Sequence, residues 1–324
     1  MSMANGTWAA GRAVPPHGSD WRQFFRLGVV HFMLYPQTAT GEGPILESLT
    51  ELARDPDLEV VEITHIASPQ VRQQVRRLLE GANLTAAFGA QPVFLREHLD
   101  LEAGEASART QALQRAKACI DEAAELGAVA VAFLSGQDPA DPAQRAAARA
   151  RLVESLVELS AYAARCGLRV VLETFDRDVD KHCLIGPTVE AVEVAQAVSR
   201  LQANFGLMLD LSHLPLLRES PEEALRTAGR YLVHAHVGNA VTDPASPLYG
   251  DAHPGFGEPG GANTPHELAR FLRELFRIGY LNDQGLPSRP IVSFEVKPQA
   301  DEESQVIWAG AKRVLTAAWA ELSL

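Results

Sequence analysis

The chain has 324 residues, 46% of them apolar and 22% charged, the balance of an ordinary folded protein rather than a disordered one. Its 29 Lys and Arg stand against 41 Asp and Glu, a formal charge of −12, which opposes nucleic acid because that partner is held by cations neutralising phosphates. Cys119, Cys166 and Cys183 are too few and too scattered for a disulfide framework, no apolar run reaches the roughly 18 residues of a membrane span, and the opening residues lack the apolar core of a secretory signal. The expected location is the cytoplasm, with neither nucleic acid nor membrane as partner.

Residues 1–25 are rich in Gly, Pro and Ala without periodicity and are expected to form a flexible extension. From Arg26 onward short apolar, β-rich runs alternate with longer segments of helical period. The strand candidates fall near 26–33, 59–66, 84–91, 128–135, 168–175, 205–212, 231–238 and 290–297. The helical stretches before the fourth and fifth of these end at Gly127 and Gly167, the residue type suited to a left-handed helix stop. Eight βα units in succession predict an α/β chain folded as one (β/α)₈ barrel over 26–324. No G-x-G-x-x-G follows the first strand, which argues against a dinucleotide-binding sheet.

One connection is long. Residues 239–264, rich in Gly and Pro, exceed the usual ~4–6 residues of a loop and follow strand seven on the face where barrels carry their sites. They are expected to cover a substrate, with Asp251 and His253 aimed by the surrounding backbone.

Barrel chemistry sits where strands end. Strand five ends in Glu173, strand six in Asp210 with His213 beyond it, strand seven carries His234 and His236, and strand eight ends in Glu295. Each interrupts an apolar run, where an unpaired carboxylate is costly. Three carboxylates and an imidazole form a hard donor set, so a divalent metal is expected on Glu173, Asp210, His236 and Glu295: Mn²⁺ first, with Mg²⁺ or Co²⁺ as alternatives. His234, two residues deeper on the same side of the pleat, reads as a hydrogen-bonded core histidine. His31, Glu62, His65 and Gln91 at the early strand ends, and Lys181 in the strand-five loop, are candidates for binding a polar substrate.

The runs VVLETFD, LMLDLSH, HAHVGN and VSFEVKP, in this order on strands five to eight, resemble the xylose-isomerase-like barrel superfamily of sugar isomerases and epimerases. Similarity to its ketose 3-epimerases implies the same four metal ligands. It also implies that Glu173 and Glu295 remove and return a substrate proton and that His213 contacts sugar oxygens. Two positions depart: Thr242 and Val179 stand where those epimerases have an Arg and a Glu. The resemblance therefore implies a metal-dependent sugar isomerase or epimerase acting next to a carbonyl. The runner-up is eliminative cleavage of 3-oxo-glycosides, which related barrels perform as subunits of two-protein complexes. A small sugar is the expected ligand, and a homo-oligomer or a complex with a small partner subunit is left open. A non-catalytic sugar-binding barrel is the remote alternative.

Overall fold

Short runs dense in Val, Leu, Ile and Phe bury both faces when strands lie parallel under helices, and all eight candidate runs do so. The computed structural model describes residues 14–15, 18–281 and 289–322. Its strands are β1 (Arg26–Val30), β2 (Val60–Ile63), β3 (Thr85–Gly89), β4 (Ala130–Phe133), β5 (Arg169–Glu173), β6 (Phe205–Asp210), β7 (Leu232–Gly238) and β8 (Ile291–Glu295). They close in chain order into one parallel barrel, with β1 pairing both β2 and β8.

The helices lie outside the barrel, and their inward faces share one apolar core with the outward faces of the strands. Helices Ala106–Glu125 and Arg145–Ala164 are each followed by a left-handed glycine, Gly127 and Gly167, both at φ +73°, a conformation that costs glycine least. Inside the barrel, Ala130, Ala132, Val171 and Met208 form a small apolar plug. The lumen is tight on the opposite side, where a β-carbon at Gly28 would lie 2.1 Å from Ser293 Oγ.

Of the extension expected over 1–25, residues 1–13 and 16–17 lie outside the described residues. Asp20 caps the turn Trp21–Gln23 through the Arg22 amide. Trp21, Phe24 and Phe25 are buried, with Phe24 5.0 Å from the Phe276 ring and 5.6 Å from the Trp319 ring. These rings pack on one another and on the outer helices, which fixes the chain five residues before β1. Cys119, Cys166 and Cys183 are free thiols. Among the described residues no helix is long and apolar enough to cross a membrane.

Candidate active site

The pleat decides which side chains enter the barrel, because alternate residues of a strand point the same way. On β5 to β8 the inward pairs are Val171 and Glu173, Met208 and Asp210, His234 and His236, and Ser293 and Glu295. The outer member of each pair carries the chemistry. One donor atom from each of Glu173, Asp210, His236 and Glu295 lies within 4.8 Å of the others.

Each of the first two carboxylates has one oxygen anchored and one without a hydrogen bond among the described residues. Glu173 Oε2 accepts from Gln91 Nε2 at 2.7 Å, and Asp210 Oδ1 accepts from the Ser212 amide at 2.6 Å. Glu173 Oε1 and Asp210 Oδ2 are buried without a hydrogen bond among the described residues. They lie 3.7 and 3.9 Å from His236 Nδ1, which is itself 2.8 Å from Glu295 Oε2. Unsatisfied buried oxygens are costly, and their convergence on one point is what a cation site requires. These four residues could hold a divalent ion.

Beneath them Glu62 Oε1 accepts from His234 Nε2 at 2.7 Å and from His236 Nε2 at 3.0 Å. Burial works to raise the Glu62 pKa, but the two histidines hold it well below the usual carboxylate range. His236 is the reciprocal case: burial lowers its pKa, but Glu62, Glu173 and Glu295 hold it well above the ordinary value. Burial raises Asp210.

The long loop 239–264 is ordered by two buried asparagines. Asn263 Nδ2 donates to the Leu211 and Gly238 carbonyls, its amide donates to Asn239 Oδ1, and Asn239 Nδ2 reaches the Gly255 carbonyl. Thr264 and Glu267 then form a capping box that starts the helix Pro265–Arg277. The loop so fixed presents Asp251, whose Oδ1 meets His213 Nε2 at 2.9 Å and His253 Nε2 at 2.7 Å, while its Oδ2 meets Lys181 Nζ at 3.0 Å. Burial opposes its charge, yet His253 and His213 keep Asp251 well below the usual range. Against the downward push of burial, Glu295 and Asp251 raise His253 to about 9. His253 sits at φ +49°, a conformation uncommon for residues with a side chain and concentrated at functional sites.

A cavity of about 200 Å³ opens over the cluster, lined by Glu62, Glu173, His236 and Glu295 with Lys181, Asp251 and His253. Two sequence candidates, His31 and His65, lie elsewhere, and a third, His213, stands behind the cavity wall with Nδ1 3.8 Å from Glu173 Oε1. His31 opens the short helix His31–Leu34 rather than extending β1, and its Nε2 meets Ser48 Oγ at 2.7 Å; burial lowers its pKa to about 3. His65 lies two residues past the end of β2 and turns outward to Glu122 at 2.7 Å. His213 has Nδ1 on the Thr174 carbonyl at 2.8 Å and Nε2 on Asp251, so both nitrogens are engaged and it supports Asp251 instead of lining the cavity. Glu62 does line it, though its Oε1 is taken by the two histidines.

The cavity wall also contains Phe32, Met33, Leu95 and Phe175, which the sequence reading did not single out. Phe32 and Met33 stand two and three residues past β1, so their position near a strand end was the available signal.

A family model described as xylose isomerase-like TIM barrel matches residues 50–306. The chain belongs to that family. D-psicose 3-epimerase of Ruminiclostridium cellulolyticum is 36% identical over 88 residues, 27% of this chain. The match spans only 29% of that relative's length. Among solved structures, the IOLI protein with a bound zinc atom superposes with a TM-score of 0.70 at 16% identity, covering 92% of this chain and 99% of that one. The 3-keto-D-glucoside 4-epimerase YcjR from E. coli does so with a TM-score of 0.64 at 17% identity, covering 90% and 99%. At identities this low the superpositions show a shared barrel fold alone.

Proposed function

We propose that this barrel is a divalent-cation-dependent sugar isomerase or epimerase that moves a proton at the carbon next to a carbonyl. The observation that carries the reading is the pair of buried, unpartnered oxygens, Glu173 Oε1 and Asp210 Oδ2, facing His236 Nδ1 and Glu295 at the floor of a polar cavity. Three carboxylates and one imidazole suit Mn²⁺, Mg²⁺ or Co²⁺, and Mn²⁺ is the ion proposed. Bound there, such an ion would polarise a substrate carbonyl and its neighbouring hydroxyl.

The protein supplies the rest. Gln91 holds Glu173 through Oε2, which fixes the orientation of the carboxylate that would face the ion through Oε1 and serve as one acid or base. Glu295 is held against His236 and serves as the second acid or base. Return of the proton to the same carbon gives epimerisation, and return to its neighbour gives isomerisation. Asp251, His253 and Lys181 offer charged hydrogen-bonding groups to sugar hydroxyls. Phe32, Met33 and Phe175 exclude water, which strengthens every electrostatic interaction inside. The partial match to a sugar epimerase and the likeness to a keto-glucoside epimerase support a sugar as substrate.

Neither Thr242 nor Val179, which stand where the resemblance to ketose 3-epimerases would lead one to expect an Arg and a Glu, is among the residues that line the cavity. This favours, as second reading, eliminative cleavage of a 3-oxo-glycoside, which begins with the same proton removal. Exchange of a substrate C–H for deuterium in D₂O, measured by NMR with and without Mn²⁺, tests the shared step, and the products separate the two outcomes. Glu173→Gln and Glu295→Gln should each slow exchange by about 10²–10⁴-fold with unchanged circular dichroism. Full exchange in both variants would remove the assignment.

A further inference from the structure

The inner cavity of about 200 Å³ has a larger neighbour of about 610 Å³. The inner one is smaller than the roughly 300–1,000 Å³ pockets that hold drug-sized ligands, and the outer one falls within that range. The same two chain segments wall both. After β1, Phe32 and Met33 face the inner cavity and Tyr35–Gln37 the outer. After β8, Glu295 faces the inner cavity, Lys297 borders both, and residues 298–300 and 302–305 line the outer. The Lys297 amide donates to the His253 carbonyl at 2.7 Å, which ties this shared rim to the loop that presents Asp251.

The outer wall has a definite chemistry. It carries the carboxylates of Glu51, Glu302 and Glu303, the amides of Gln37, Gln299 and Gln305, and one ammonium, Lys297. Tyr35 is fixed as part of this wall, donating to Glu51 Oε2 at 2.9 Å and accepting from Gln305 Nε2 at 2.6 Å. The Gln37, Glu303 and Lys297 side chains take no polar partner among the described residues, so they are free to bond a ligand. Three carboxylates against one ammonium repel an anionic group, whereas carboxylates and amides together accept from and donate to hydroxyls.

We infer that the substrate is longer than one sugar: a keto sugar in the inner cavity bearing an uncharged, hydroxyl-rich unit that lies in the outer groove. This rests on the proposed function and specifies its substrate class.

The test compares deuterium exchange by the Mn²⁺-loaded full chain on two pairs. Fructose is set against isomaltulose, a fructose carrying glucose, and methyl 3-keto-galactoside against 3-ketolactose, in which the keto-galactosyl unit carries glucose. The longer member of at least one pair should show kcat/KM tenfold or more above the shorter. Ala300→Trp, at an exposed turn of the outer wall, should erase that advantage, with the shorter sugar as internal reference. Fructose 6-phosphate should do no better than fructose. Equal rates within both pairs, an equal effect of Ala300→Trp on long and short sugars, or a tenfold preference for the phosphate would overturn the inference. If no sugar exchanges, the proposed reaction fails. Calorimetric titration of the same pairs then decides the groove by the same preference, its loss in Ala300→Trp, or its absence.

Discussion

His236 has two ring nitrogens, and its neighbours divide them. Nε2 lies 3.0 Å from Glu62 Oε1, an acceptor, while Nδ1 faces the cluster formed by Glu173, Asp210 and Glu295. A carboxylate that accepts a hydrogen bond from one ring N–H leaves the lone pair of the other nitrogen for a metal and fixes the ring orientation. Glu62 is therefore a positioning residue for the proposed site, and Glu62→Gln should weaken Mn²⁺ binding by about 10–100-fold, read by calorimetry independently of turnover. An unchanged affinity would return Glu62 to the substrate-contact role its place at a strand end suggested. The four ligand candidates were legible because a charged residue inside an apolar run needs a compensating partner. His31, His65 and His213 do not line the cavity, and the reason is not legible in the sequence: their rings are held by Ser48, Glu122, Thr174 and Asp251, contacts that join residues from 17 to 57 positions apart.

The eight strands and their order follow from apolar runs and helix stops, and their register sets the inward residues, so this element-level architecture could be read before any contact was known. The loop 239–264 could not. Its Gly and Pro content announced an irregular segment, whereas its shape depends on Asn239 and Asn263, which bond each other and the ends of β6 and β7. Asn263→Ala removes the donors to the Leu211 and Gly238 carbonyls and leaves buried acceptors unpaired, a loss of about 1–3 kcal/mol. Urea unfolding should show that loss. Hydrogen exchange should quicken first at Gly250, whose amide bonds the Val241 carbonyl within the loop, while the strand amides keep their protection. Uniform loss of protection across the barrel would mean that Asn263 supports the whole fold and not the loop.

At the scale of the molecule, the barrel closes around carboxylates that repel one another, and the chain as a whole carries a charge of −12. Glu173, Asp210 and Glu295 are gathered with His236 by folding and dispersed by unfolding, so a divalent cation held there binds the native state far better than the unfolded chain. Linkage then fixes the size of the effect: free cation at 100 times its Kd adds about 2.7 kcal/mol. In a chain of this length, where 1 kcal/mol moves Tm by about 1.5 °C, Mn²⁺ should raise Tm by about 4 °C and EDTA should reverse it. Asp210→Asn separates the site from general screening. It removes one buried like charge, so its metal-free Tm should equal or exceed that of the parent, while its response to Mn²⁺ should largely disappear. A parent Tm indifferent to Mn²⁺, or an Asp210→Asn variant that responds as fully as the parent, would show that the cluster is neutralised within the protein by its own histidines and holds no ion.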